Sequence, residues 1–244
     1  MAKSAKKPAI TGFNGFEPAA FAFFRGLTDN NERAWFLEHK AEYEAKVIAP
    51  FRQLLASLRT TMSAADIPLA ADPANAIFRI HRDVRFSNDK TPYKTHAGAI
   101  ISRDGSKGRS GIVYIHIAAG GCFCAAGFWQ PDRDLLGALR EAIYVEPKRF
   151  AEIQSGLAKA GLTLDSEDSL SRLPRGYEDA TDPVLSAALR LKSFVVRRPL
   201  QQAHVESPAL VDDVMAFTKD CLPFLQFGWQ ALTVLNPTAL TRQK

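Results

Sequence analysis

The chain has 244 residues, 46% of them hydrophobic and 23% charged, with a formal net charge of +5. That balance belongs to a soluble globular protein, in one large domain or two small ones, with a substantial core. No apolar run reaches the length of a membrane span, and nothing apolar follows Lys3, Lys6 and Lys7 to make a secretory signal.

Residues 1–12 read as a disordered, solvated basic tail, the alternative being an arm that touches nucleic acid or a membrane surface. Residues 13–244 read as one domain. Glu17-Pro18 opens a helix in which Phe21, Phe24 and Leu27 recur at helical spacing. Asn30 or Asn31 is the expected N-cap of the next helix, which carries Trp35, Phe36, His39 and Tyr43. Another helix follows over residues 47–65. Strands are expected at 77–86, 95–102, 112–118 and 122–129. Gly120-Gly121 signals a hairpin, because both central positions of a type I′ turn need positive φ. Helices return after Pro131 and Pro147 and at Asp182-Pro183, followed by a strand at 194–200 and a long helix from Ser207-Pro208. Helices, then strands, then helices predict an α+β fold: a mainly antiparallel sheet flanked by N-terminal and C-terminal helices.

The positive excess is concentrated. From Arg79 to Arg109, eight Lys/Arg oppose three Asp, a net of +5 equal to that of the whole chain. If 78–86 is a strand, Phe78, Ile80, Val84 and Phe86 share the core face, and Arg79, His81, Asp83 and Arg85 share the other. Arg82 breaks the apolar face, so it must reach out, pair with an acid or sit at a bulge. Residues 87–92 form a turn, and Lys94 and His96 lie on the return path. Concentrated cations call for an anion. Arg79, Arg82, Arg85, Lys90 and Lys94 are the candidate ligand-binding cations. Asp83, Asp89 and His81 are the candidate proton-transfer groups, and Trp35, Tyr93 and Trp129 the candidate walls. The competing reading is a structural network of Arg–Asp pairs.

Cys122, Cys124 and Cys221 are too few, and odd in number, for a disulfide framework, and they point to a reducing compartment. Cys122 and Cys124 share a face with Ile115 and Ile117, while His116 faces the other way with Tyr114, Ala125 and Gly127. This makes the cysteines core residues, and no metal is expected. There is no Walker loop, Rossmann glycine fingerprint or His-Glu-x-x-His pair, and no cofactor is expected.

Several motifs carry a family resemblance. They are Asn30-Asn31-Glu32-Arg33-Ala34-Trp35-Phe36, the run Arg82-Asp83-Val84-Arg85-Phe86-Ser87-Asn88-Asp89-Lys90-Thr91-Pro92-Tyr93-Lys94, Gly127-Phe128-Trp129-Gln130-Pro131, and Leu173-Pro174-Arg175-Gly176-Tyr177. Between Phe16 and about Phe227 the chain resembles the mostly bacterial family catalogued as domain of unknown function 2461. The resemblance implies one intact domain and a cytoplasmic bacterial protein. It supplies no activity, substrate or cofactor.

The expectation is a basic cleft for a phosphate or carboxylate, with hydrolysis or transfer as the reaction if an Asp acts as base. The alternatives are a nucleic-acid module, with aromatics stacking on bases, and a scaffold whose Arg/Asp motif is structural.

Overall fold

The computed structural model describes residues 12–85, 87–108 and 110–235. The expected tail, except Gly12, therefore lies outside the described residues, as do the core-facing assignment of Phe86 and the cation Arg109.

The architecture is α+β, with an antiparallel sheet of order β1-β2-β3-β4: β1 His96–Ile101, β2 Ile112–Ala118, β3 Cys122–Phe128 and β4 Phe194–Leu200. The chain packs as two compact units. The first takes the chain up to Lys107, then His116–Cys122 and Leu200–Met215. The second takes Gly108–Ile115, Phe123–Pro199 and the chain from Ala216.

In the first unit, α1 (Pro18–Asp29) begins at a proline whose missing N–H costs nothing in a first turn, and it buries Phe21, Phe23, Phe24 and Leu27. A helical run follows: α2 (Arg33–Glu38), α3 (Lys40–Tyr43), a π-helical turn (Glu44–Ile48) and α4 (Ala49–Ala64). Hydrogen bonds from His39 N to Trp35 O and from Tyr43 N to His39 O carry the run across its break at His39. Phe51, Leu54, Leu55, Leu58 and Met62 form the buried stripe of α4, at the spacing of one helix face.

Two sequence expectations fail here for identifiable reasons. Neither Asn30 nor Asn31 caps α2. Its N-cap is Glu32, without a side-chain bond. Asn30 instead closes α1, its backbone N–H and its Nδ2 both donating to Gly26 O. The expected strand at 77–86 is only an extended segment with isolated antiparallel bridges, Ile77 to Ala99 and His81 to Tyr93. Arg82 N donates to Pro92 O and Lys94 N to Ile80 O. Pro92 has no N–H to give back, so the ladder cannot continue past it. The alternation of faces persists: Ile80 is buried, while Arg79, His81, Asp83 and Arg85 are exposed.

In the second unit, α5 (Arg133–Val145) is capped by Asp132, whose carboxylate accepts from Leu135 N. It is followed by α6 (Pro147–Lys159). The cap of α7 (Pro183–Arg190) is Asp182, which accepts from Leu185 N. Short α8 (Gln202–Val205) belongs to the first unit, and α9 (Ala209–Leu235) runs on through Pro223. Gly127 adopts φ +132°, and a Cβ there would sit 2.0 Å from Phe194 O. The space left at Gly127 is thus taken by the backbone of β4. The hairpin between β2 and β3 is not the expected type I′ turn. Three residues separate the strands, and of the two glycines only Gly121 has positive φ. Cys122 and Cys124 are nonetheless buried.

Candidate functional site

The motif at 82–94 folds on itself. The Arg82 guanidinium bonds the Asp89 carboxylate and, at 2.5 Å, Thr91 Oγ1. Asp89 Oδ1 accepts from Thr91 N at 2.9 Å and from Thr91 Oγ1 at 2.8 Å. Arg82 and the Thr91 amide hold the Asp89 carboxyl far below the usual range, at about 2. Asp83 makes a bidentate pair with Arg85, Nε to Oδ1 at 2.9 Å and Nη2 to Oδ2 at 2.7 Å, and this too lowers its pKa. Lys90 Nζ donates to Val84 O at 3.0 Å, and Lys94 Nζ to Arg79 O at 3.1 Å. Four of the five candidate cations are therefore tied to groups between Arg79 and Thr91. Arg82, the residue that broke the alternation, reaches its acid seven positions on.

The motif is anchored to the helical run by a side-chain amide. Asn31 Nδ2 donates to Tyr93 O, and Tyr93 N donates to Asn31 Oδ1, both at 3.0 Å. One asparagine thus satisfies both backbone groups of a residue that is only 4% exposed. The Tyr93 ring stacks on Phe36, with centroids 4.4 Å apart, and His81 lies 5.1 Å from Tyr93. Two of the motifs singled out in the sequence meet at this clamp.

Beside the clamp lies a cavity of about 690 Å³, lined entirely by the first unit. One wall is the helical run, with Arg33, Leu37, Lys40, Glu44, Ile48 and Arg52. The other is the extended segment with Ile77, Arg79 and His81, together with Lys107. Glu44 is the one carboxylate on this lining, 4.0 Å from Arg52. Among the described residues, Arg33, Lys40 and Arg79 form no ion pair with a carboxylate, although the Arg79 charge acts on Asp83 and helps to lower its pKa. Lys107 Nζ donates to Ile77 O at 2.5 Å and lies 5.3 Å from the Phe78 ring centroid, and burial lowers its pKa. Burial, then the nearby Arg79 and Lys107 charges, lowers that of Lys94 as well. The Lys107 shift thus reports burial, and the Lys94 shift burial first and the neighbouring positive charges second.

Of the candidate residues, Arg79, His81 and Tyr93 line the cavity, and Arg82, Asp83, Arg85, Asp89, Lys90 and Lys94 do not. Trp35 does not line it either, since its ring stacks on His39 at 3.9 Å. Trp129 belongs to the second unit and is 66% exposed. Sequence reasoning missed Arg33, Lys40, Arg52 and Lys107. The spacing of Arg33, Leu37, Lys40 and Glu44 along one helix face was the available signal.

A cavity of about 810 Å³ in the second unit has the opposite sign, with Asp132, Asp134, Glu141 and Glu146 against Arg133. Three of those acids are already engaged. Asp132 caps α5, Glu141 accepts from Tyr177 Oη, and Glu146 pairs with Arg149. Among the described residues, no cluster of His, Cys, Asp and Glu could hold a metal ion.

The family described as conserved hypothetical protein (DUF2461) matches residues 19–227. The chain belongs to this family. No curated protein and no solved structure matches the chain. Both motifs joined by the Asn31–Tyr93 clamp lie within the matched region. No helix among the described residues is long and apolar enough to cross a membrane.

Proposed function

We propose that the first unit binds an anionic small molecule, a phosphate or a carboxylate, in the cavity between the helical run and the extended segment. One observation carries the reading: Arg33 and Lys40, without a carboxylate partner among the described residues, share with Arg79 the lining of one apolar-floored space. Cavities of this volume hold metabolite-sized ligands, and guanidinium groups bind phosphate and carboxylate by paired N–H donors. Of the three candidate proton-transfer groups, His81 is the one on the cavity lining, because Asp83 and Asp89 lie off it and are held ionised by arginines. The proposed setting is a reducing, cytoplasmic one, in keeping with three free cysteines.

The self-tied motif at 82–94 supports a second reading for its own charges, which is structural. It holds Tyr93, and with it one wall of the cavity, in place.

A thermal-shift screen against phosphorylated metabolites, nucleotides, dicarboxylates and oligonucleotides tests the reading. A ligand at one hundred times its Kd stabilises the native state by about 2.7 kcal/mol. Arg79→Ala and Lys40→Ala are expected to abolish the shift, and Arg85→Ala to keep it. The reading is sunk if no anion raises the melting temperature, or if Arg85→Ala removes the response as fully as Arg79→Ala.

A further inference from the structure

We infer that the ligand of this cavity is an elongated organic polyanion, an apolar or planar body joined to a chain of two or more phosphates. The inference rests on the anion-binding reading above and names the class of molecule within it.

The number of charges is the first argument. Arg33, Lys40, Arg52, Arg79 and Lys107 line the cavity against the single carboxylate of Glu44. A monoanion engages one or two cations and leaves the others repelling one another across a partly desolvated space. A guest with several negative charges neutralises them together.

Their placement is the second. Arg33, Lys40 and Arg52 are strung along the helical run. Arg33 belongs to α2, Lys40 to α3 and Arg52 to α4, so the three charges come from successive pieces of that wall. Arg79 and Lys107 come from the facing wall. Cations at separated points, and on both sides, match negative charge distributed along a ligand rather than gathered at one end.

The floor is the third. Leu37 is 57% exposed, and Ile48, Ile77 and Pro92 join it on the lining. A purely inorganic chain would leave that surface in water. An organic body covers it, each square ångström of apolar surface removed contributing about 25 cal/mol.

The test is isothermal titration of the full chain with AMP, ADP, ATP and inorganic tripolyphosphate, at about 0.05 and 0.15 M salt to gauge screening. Affinity is expected to rise about tenfold or more from AMP to ATP, and tripolyphosphate to bind at least about tenfold more weakly than ATP. Arg33→Ala and Arg79→Ala, both at exposed positions, are each expected to weaken ATP about tenfold and AMP less, with Arg33→Lys recovering part of the loss. Equal affinity for AMP and ATP overturns the polyanion inference while leaving the anion reading standing. Tripolyphosphate binding as tightly as ATP overturns the organic body. Failure of all four probes, with no response to phosphorylated or carboxylate metabolites in the screen, removes the underlying reading as well. A single-stranded oligonucleotide that outcompetes ATP, with affinity falling steeply with salt, overturns the inference in favour of a nucleic-acid surface.

Discussion

The loop at 82–94 and the helical wall at 33–52 both carry several cations, and they use them in opposite ways. In the loop, Arg82 and Arg85 have carboxylates supplied within seven residues, and Lys90 and Lys94 have backbone carbonyls. On the wall, Arg33 and Lys40 have no carboxylate partner among the described residues, and Arg52 reaches Glu44 only at 4.0 Å. Charge density along a sequence is therefore a poor guide to charge available to a ligand. A loop that doubles back brings its own acids to its own bases. A helix face spreads cations along an axis, where the nearest same-face neighbours are three or four residues apart.

Cutting the link between the two regions is the strongest way to break this comparison. Asn31→Ala would leave the N–H and C=O of buried Tyr93 without partners. It should cost about 3 kcal/mol, roughly 6–12 °C in melting temperature, and abolish the anion response. Asn31→Asp keeps the acceptor for Tyr93 N–H and loses the donor to Tyr93 O, so about half that loss is expected. Calorimetry on both variants checks this, and an unchanged Asn31→Ala melting curve would show that the clamp is dispensable.

A smaller effect separates structural from ligand-facing charge. Arg82 is only 28% exposed and serves two partners, so Arg82→Ala should lower the melting temperature and speed proteolytic cleavage within 83–90. Arg85→Ala, at a pair whose arginine side chain is 76% exposed, should leave both measurements unchanged. Limited proteolysis of the two variants side by side decides it.

The smallest expected effect is a dependence on pH that arises outside both regions. His96, on β1, stacks against His116 with ring centroids 4.3 Å apart. Burial, and next the Lys94 charge, lower its pKa. The folded state therefore takes up this proton less readily than the unfolded chain. Stability is fully present above the ordinary histidine value of about 6.5 and declines as pH falls through that value toward the lower folded one. The Arg82–Asp89 tie is untouched in this window, because Asp89 stays ionised down to about 2. Melting temperatures between pH 7.5 and 5.5 should fall, and His96→Gln should flatten the slope.

Much of the scaffold was legible because its signals are local. Pro18, Pro147, Asp182-Pro183 and the run at 194–200 mark element ends through backbone chemistry that needs no distant partner. The segment at 77–86 misled because its alternation is real but its ladder is cut by Pro92, on the opposing chain. Asn31 misled because an asparagine ahead of a helix is most simply a cap, whereas its true partner lies 62 residues away. For the site, Arg79, His81 and Tyr93 were legible from the charged stretch. Arg33, Lys40 and Arg52 were hidden in an ordinary-looking amphipathic run, whose polar face acquires meaning only when something packs opposite it.

The π-helical turn at Glu44–Ile48 bears on how this wall is phased. At about 100° per residue, an uninterrupted α-helix would leave Arg52 rotated some 100° away from Arg33. A π turn houses one surplus residue, which takes roughly that rotation back out. Regular α winding that kept every residue of Glu44–Ile48 would swing Arg52 off the bearing shared by Arg33 and Lys40, whereas deleting one residue there would straighten the coil and leave Arg52 in phase, so an apparent defect in the coil works as its indexing device.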